Sequence, residues 1–303
     1  ILSSGTFDIG GSTANVVSLT QSGGLLTGTG ALTVASLSTL SGGRESGSGT
    51  TFAQGGATFS STGFSLDGGR TLQLGGASTV TGASVQINLN GGNDPGSGVL
   101  TIANGATLDD QTTSSFTIAL SNFGGSDTGA SAAVNVNTGG TFIKSGSNGP
   151  TPTTSTINSA FNNSGTVKVQ SGTLDLVGGN STGVSDVGAI YMGAGTIQFG
   201  GGTRTLDGNS SITTANATFS GGTTTVNGTY NVTGTTTISG GTATLAGSLT
   251  SLGNALNISS GALNLNGLTA GVNTLTQSGG LLSGTAALTV ASLSTLSGGR
   301  ESG

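Results

Sequence analysis

Residues 220–245 read SGGTTTVNGTYNVTGTTTISGGTATL, and this stretch decides the fold. Polar and apolar residues alternate in short runs such as Thr229-Tyr230-Asn231-Val232, and each run is bounded by glycine. A period of two bounded by glycine predicts short β-strands, and no stripe with the 3.6-residue period of a helix competes with it.

Corners of the Ser-Gly type recur about every 19–21 residues on both sides of this stretch. They are Ser22-Gly23-Gly24, Ser41-Gly42-Gly43, Ser220-Gly221-Gly222, Ser239-Gly240-Gly241, Ser260-Gly261, Ser278-Gly279-Gly280 and Ser297-Gly298-Gly299. Stacked units of this length, each with two or three short strands, are typical of a β-solenoid. We therefore predict an all-β parallel β-helix with coils of about 19–21 residues, in which glycine permits the sharp corners.

The alternation also predicts which side chains form the narrow core of the solenoid. The inward aliphatic residues are expected to be Val226, Ile238, Leu245, Ile258, Leu263 and Leu265. The aromatic residues expected to stack in the core are Phe52, Phe59, Phe64, Phe116, Phe142, Phe199, Phe219 and Tyr230.

A longer repeat contains the short one. Residues 19–47 return as residues 275–303, and only Thr27/Ser283 and Gly30/Ala286 differ. We interpret residues 1–256 as one full long repeat of a continuous solenoid and residues 257–303, near-identical to 1–47, as the start of the next. The residue after Gly303 in the natural chain is then expected to correspond to Ser48, and segments of this kind are expected to associate end to end.

Residues 48–215 are less regular than the rest. Three loops are expected there, at residues 90–98, 121–132 and 145–155, and they contain Pro95, Pro150 and Pro152. Proline cannot donate a hydrogen bond to a strand ladder, so these loops are expected to leave the coil and lie on the surface.

Composition excludes several classes of protein. The 303 residues include 60 glycines, no Cys, His or Trp, and 6% charged residues with a net charge of -5. Disulfides and thiolate metal sites are therefore excluded, as are catalytic triads that need His. The acidic balance argues against nucleic acid as a partner, and no run of about 18 apolar residues predicts a membrane span.

Residues 161–178 (FNNSGTVKVQSGTLDLVG) and the coil at 239–245 resemble the filamentous-haemagglutinin-like and autotransporter-associated β-strand repeat families of bacterial surface proteins. The resemblance implies a right-handed parallel β-helix in an exported, cell-surface or extracellular fibrous protein with an adhesive, sheath or matrix role. It implies no catalytic residues in the repeats.

Few residues suggest chemistry. Asp109 and Asp110 are the only adjacent carboxylates, and they would be needed for a polysaccharide-cleaving β-helix enzyme, but an Asp at a corner more often caps a turn. Gly91-Gly92-Asn93-Asp94-Pro95-Gly96 is similar to one copy of a calcium-binding GGxGxD nonapeptide, although calcium sites of that type need successive copies.

Two further patterns have a functional and a structural interpretation. Residues 223–225 and 235–237 are Thr runs that would order water on an ice-binding face only if every coil kept a Thr-x-Thr, which the coils do not. Outward Thr is also simply favoured on exposed strands. Arg44-Glu45 recurs as Arg300-Glu301, and it is expected to be a solvated ion pair or a contact between neighbouring fibres.

We therefore assign no catalytic, cofactor-binding or metal-binding residue and expect no enzyme activity. The function expected is that of a rigid structural segment of a giant extracellular bacterial protein, which forms a fibre, sheath or adhesin stalk and has neighbouring repeats as its partners. The alternative is an adhesin module whose loops bind surface glycans, and a polysaccharide-cleaving enzyme is the third possibility.

Overall fold

The computed structural model describes residues 1–122, 125–147, 153–284 and 286–302. These residues form 29 β-strands and no helix, and the strands pair in parallel as the turns of a β-solenoid. The all-β parallel prediction is therefore confirmed. The chain forms two compact units, residues 1–165 and 166–303, which together contain about 14 turns.

The strands of the first unit are β1 (Thr6–Asp8), β2 (Ala14–Val16), β3 (Leu19–Thr27), β4 (Ala31–Val34), β5 (Ser38–Glu45), β6 (Thr50–Ala53), β7 (Ala57–Leu66), β8 (Thr71–Leu74), β9 (Ala77–Val80), β10 (Ser84–Asn88), β11 (Val99–Ile102), β12 (Thr107–Asp110), β13 (Ser115–Ala119), β14 (Ala133–Val136), β15 (Thr141–Lys144), β16 (Thr154–Ile157) and β17 (Ala160–Asn163).

The strands of the second unit are β18 (Thr166–Val169), β19 (Thr173–Leu176), β20 (Ile190–Phe199), β21 (Thr203–Leu206), β22 (Ser211–Phe219), β23 (Thr223–Val226), β24 (Thr229–Val232), β25 (Thr235–Leu245), β26 (Ser248–Leu252), β27 (Ala255–Asn264), β28 (Thr269–Ser283) and β29 (Ala287–Ser302).

The register between strands measures the length of each coil. In the first unit β3, β5 and β7 pair Leu19 with Ser38 and Ser38 with Ala57, two equal steps along the chain. In the second unit β27 and β28 pair Leu256 with Leu275, which is a step of the same length. The predicted coil length is therefore correct at these places.

Coils are longer in the middle of the first unit. Val99 pairs with Ala133, and Ser115 pairs with Thr154, so that each of these steps is about twice as long as the step from Leu19 to Ser38. Both steps contain the loop predicted for 121–132, and the loop predicted for 90–98 lengthens the step from Thr71 to Val99. Pro95 lies in the first loop, between β10 and β11, while Pro150 and Pro152 lie outside the described residues.

The core consists of one inward side chain at every second strand position. All six predicted aliphatic core residues are at most 1% exposed. Seven of the eight predicted aromatic residues are also buried, and Phe199 and Phe219 stack with ring centroids 5.3 Å apart. Phe52 was wrongly predicted to be in the core, because on β6 Thr51 and Ala53 point inward and Phe52 lies on the outer face.

Ser-Gly corners lie directly on one another from coil to coil. Gly222 has a φ of +63°, and a Cβ atom there would collide with the carbonyl oxygen of Gly202 one coil earlier. A left-handed backbone and the closeness of the neighbouring coil both require glycine at this corner. Among the described residues no helix is long and apolar enough to cross a membrane.

Candidate functional site

Asp109 and Asp110 point to opposite faces of their strand. Both lie within β12, where alternation turns Asp109 outward and buries Asp110 completely. The Asp110 carboxylate accepts hydrogen bonds from the backbone N–H and the hydroxyl of Thr112, at 2.9 and 2.7 Å. The turn-capping interpretation is therefore confirmed for Asp110.

Asp110 also belongs to a buried ion pair. Lys144 lies directly opposite Asp110 in the β12–β15 register, and its Nζ is 3.6 Å from Asp110 Oδ2. Both side chains are 0% exposed. Lys144 Nζ also donates to Gly146 O at 2.7 Å and to Thr153 Oγ1 at 2.8 Å. Burial lowers the pKa of Lys144, although the Asp110 carboxylate opposes that shift.

Glu45 forms a second buried ion pair, with a different partner from the one expected. Its Oε2 lies 3.6 Å from Nε of Arg70, and both side chains are 0% exposed. Thr51 bridges the two, because it donates to Glu45 and accepts from Arg70 Nη2 at 2.9 Å. Arg70 also donates to the carbonyl oxygens of Gly28 and Gly30. Burial raises the pKa of Glu45.

Arg44 turns away from Glu45 and binds aspartates. Its Nη1 lies 3.1 Å from Asp67 Oδ2 and 3.2 Å from Asp94 Oδ2. The prediction of a solvated Arg44–Glu45 pair is therefore wrong: adjacent residues on β5 point to opposite faces, so one reaches the core and the other the surface.

Asp186 and Arg204 form the third buried pair, in the second unit. Arg204 Nη1 lies 2.8 Å from Asp186 Oδ2, which also accepts the hydroxyl of Tyr191 at 2.6 Å. Asn180 donates to Asp186 Oδ1, and Arg204 donates to Gly179 O. The carboxylate and the guanidinium thus both have several partners in a dry core, as a buried pair requires.

The stretch similar to a calcium nonapeptide takes part in the Arg44 cluster instead of forming a repeated metal-binding turn. Asp94 is held by Arg44 and by the hydroxyl of Ser46, and its backbone N–H donates to Asp67. Burial raises the pKa of Asp67. Among the described residues there is no group of three or more acidic side chains placed to hold a metal ion.

The loops at 90–98 and 121–132 lie against each other. Asn90 donates to Asp127 O at 3.1 Å, and the hydroxyl of Ser97 donates to the Asp127 carboxylate at 3.1 Å. Ser97 N donates to Ser131 Oγ at 2.9 Å. These contacts give the two loops a defined joint surface; Phe123 and Gly124 of the second loop lie outside the described residues.

At one place in the second unit, Thr side chains form outward ranks over three neighbouring coils. Thr203, Thr223 and Thr242 lie in register, and each is followed two positions later by another Thr. On the next coil, Ala262 and Asn264 take the equivalent positions. Within the two Thr runs, Thr224 and Thr236 point inward and are buried.

Sequence reasoning missed the three buried ion pairs, although a signal for them exists. Asp110 follows the buried Leu108 by two positions, and Lys144 follows the buried Phe142 by two, so strand alternation turns both charges inward. Which acid pairs with which base depends on the register between coils. This register cannot be derived from the sequence where long loops change the coil length.

Comparison with known proteins places the chain in no family: no family model, curated protein or solved structure matches it.

Proposed function

We propose that this chain is a non-catalytic structural segment of a tandemly repeated extracellular protein, and that its role is to act as a rigid spacer in a surface fibre, sheath or adhesin stalk. Parallel ladders between neighbouring coils and a core filled by buried side chains suit a load-bearing element. The resemblance of residues 161–178 to filamentous-haemagglutinin-like and autotransporter-associated repeats supports the extracellular assignment.

One observation carries this proposal: each coil covers the inward side chains of the coil before it, as the two copies of one sequence illustrate. Leu40 is 1% exposed, whereas its copy Leu296 is 59% exposed. Glu45 is completely buried, whereas its copy Glu301 is exposed. Ser38 is buried whereas its copy Ser294 is exposed, and Leu32 and Val34 are buried whereas their copies Leu288 and Val290 are half-buried.

The coil formed by β6 and β7 accounts for the difference. In the first copy β6 pairs with β4, and β7 pairs with β5. Leu37 is 47% exposed and its copy Leu293 is 59% exposed, so a position that points outward remains exposed in both copies. The inward side chains that the coil of residues 50–66 covers in the first copy are therefore the ones that are more exposed on β29.

A longer chain tests the proposal. Residues 48–256 are added once more after Gly303, and the product is imaged by negative-stain electron microscopy beside the original chain. Each added coil should lengthen the particle by about 4.8 Å along one axis, and no bend should appear at the junction.

A matched control adds the same residues with their order scrambled. It should give a folded segment with a disordered tail. Two particles joined by a flexible hinge in the unscrambled chain would contradict the rigid-spacer proposal.

A second candidate function is recognition of a surface glycan by the paired loops. The hydrogen bonds from Asn90 and Ser97 to Asp127 favour it, because they hold the loops in one arrangement before any ligand binds. A glycan array probed with the whole chain and with the Asp127→Ala variant tests it. Binding that the variant loses would support recognition, and an empty array would leave the spacer role alone.

A further inference from the structure

We propose that Lys144 and Asp110 react with each other to form an amide bond, which cross-links two neighbouring coils inside the first unit. This cross-link would be an additional property of the chain and does not depend on the rigid-spacer proposal. A chain without cysteine has no disulfide to serve the same purpose.

The two reacting groups are held opposite each other. Asp110 and Lys144 are directly paired residues at the ends of β12 and β15, and Nζ lies 3.6 Å from Oδ2. Nζ is thus in contact with the carboxyl group whose Cγ it would attack, and the attack needs Nζ and Cγ to come within ~3–3.5 Å of each other. Both side chains are 0% exposed, so bulk water, which would hydrolyse an intermediate and favour the free acid, has no access.

The surroundings of Asp110 polarise its carboxyl group. Oδ1 accepts two hydrogen bonds from Thr112, one from the backbone N–H and one from the hydroxyl. These two donors would stabilise the negative charge that develops on Oδ1 when a nucleophile adds to Cγ. The hydroxyl of Ser155 donates to the other oxygen, Oδ2, which is the oxygen that must leave.

The surroundings of Lys144 favour a nucleophilic amine. Its Nζ is held by two neutral oxygens, Thr153 Oγ1 and Gly146 O, and by no carboxylate other than Asp110 within salt-bridge distance among the described residues. Burial lowers the pKa of Lys144, which raises the fraction of neutral amine at a given pH.

The reaction balances without an added reactant. A proton moves from the Lys144 ammonium to Asp110 Oδ2, so that the ion pair becomes a neutral amine and a neutral carboxylic acid. Nζ then attacks Cγ, a second proton passes from Nζ to Oδ2, the Cγ–Oδ2 bond breaks, and water leaves. The product is a neutral secondary amide, so two buried charges disappear and their desolvation penalty with them.

Only one of the three buried pairs permits this reaction. The Glu45 and Asp186 pairs contain Arg70 and Arg204, whose guanidinium groups stay protonated and are poor nucleophiles. Lys168, the other lysine of the chain, lies on the outer face of β18 and forms no salt bridge among the described residues. Lys168 therefore serves as a control.

Intact-mass spectrometry of the denatured full chain tests the proposal, after the folded protein has been kept at neutral pH for several days. The expected mass is lower than the sequence mass by one water. Peptide mapping should find one branched peptide that joins the segments around Asp110 and Lys144, with no tryptic cleavage after Lys144. A mass equal to the sequence mass would overturn the proposal.

A loss of water at another site would also overturn it. Asp67-Gly68 and Asp207-Gly208 are Asp-Gly sequences, at which succinimide formation releases one water too. A succinimide reopens in mild alkali and restores the mass, whereas the Lys144–Asp110 amide survives that treatment.

Two variants complete the test. Lys144→Arg should show the full mass of its own sequence, and Lys168→Arg should keep the loss of one water. Because the mass is read on denatured protein, a Lys144→Arg chain that folds poorly still gives an answer. A Lys144→Arg chain that also lacks one water would assign the loss to other residues and overturn the proposal.

Discussion

The coils of residues 208–299 contain no charged residue, whereas the coils of residues 44–207 contain all three buried ion pairs. In the charge-free coils the steps between paired residues stay short and nearly equal, as from Asn216 to Thr235 and from Leu256 to Leu275. In the charged coils a step can be about twice as long, as from Ser115 to Thr154.

The difference teaches where a solenoid uses charge. When each coil lies directly on the last, backbone ladders and uncharged inward side chains fill the core, and a buried hydroxyl such as that of Thr236 finds its partners in neighbouring groups. A loop that leaves the coil interrupts this stacking, and polar groups at the interruption need partners. Asp186, for example, lies in the loop between β19 and β20, where Arg204 and Asn180 satisfy its carboxylate.

The largest expected effect comes from breaking a buried pair. Arg204→Met leaves the Asp186 carboxylate buried without its cation, and we expect the free energy of unfolding to fall by about 3–5 kcal/mol. Urea denaturation followed by circular dichroism measures it. Arg300→Met, at an exposed position in β29, is the control and should change the stability by less than about 0.5 kcal/mol.

A double variant sharpens the same comparison. Asp186→Leu combined with Arg204→Met gives this coil the apolar interior of the charge-free region, and we expect it to recover most of the stability that Arg204→Met alone loses. A double variant as unstable as Arg204→Met alone would show that the shape of the side chains, and not their charge, limits the stability of this coil.

The corner glycines should differ between the two regions. Gly222→Ala is expected to destabilise the charge-free coils by about 3 kcal/mol, because φ is +63° and the added methyl group meets the backbone of the previous coil. Gly183→Ala, in the loop before β20, has a φ of +75° but open space around it, so only about 1 kcal/mol is expected. Thermal and urea denaturation measure both variants. If Gly222→Ala and Gly183→Ala lost the same amount of stability, the close stacking of corners would be refuted.

The aromatic stack of the charge-free coils should have a smaller effect. Phe219 lies between Phe199 and Tyr230, with centroid distances of 5.3 and 6.4 Å. Phe219→Leu removes two ring contacts but keeps an apolar side chain, so a loss of about 1–2 kcal/mol is expected in urea denaturation. Phe52→Leu, on the outer face of β6, should lose clearly less.

The smallest expected effect is a change in how stability depends on pH, and it concerns Asp207 at the edge of the charge-free region. Hydrogen bonds from the Ser210 hydroxyl and the Gly188 N–H hold the pKa of Asp207 below its usual value of 3.8. The Asp207 carboxyl group is therefore a stronger acid in the folded protein than in the unfolded chain. Its contribution to the stability of the fold is present above pH 3.8 and is lost as the pH falls through the folded pKa.

Asp207→Asn should therefore match the wild type in strongly acidic solution and be slightly less stable, by under about 1 kcal/mol, near neutral pH. Melting temperatures of both proteins over a series of pH values measure the difference. A gap that widens towards low pH would contradict the direction of the pKa shift.

Strand alternation and Ser-Gly spacing were enough to predict the all-β parallel fold and the inward aliphatic residues, because both are local properties. The prediction for Phe52 was wrong because the inward positions of the short strand β6 are Thr51 and Ala53, and the inward Thr51 donates a hydrogen bond to the buried Glu45. The partners of Glu45 and Asp110 could not be predicted, since coils with loops have no fixed length. The right-handed coiling and the extracellular role stay predictions.

In all three buried pairs the acid comes first in the chain: Glu45 precedes Arg70, Asp110 precedes Lys144, and Asp186 precedes Arg204. A solenoid that folds from its N-terminus as the polypeptide emerges would repeatedly present an unpaired carboxylate at its growing edge. Two such edges would repel each other, while the next coil of the same chain brings the cation that neutralises the edge. The order of charges would thus guard nascent chains against stacking onto one another.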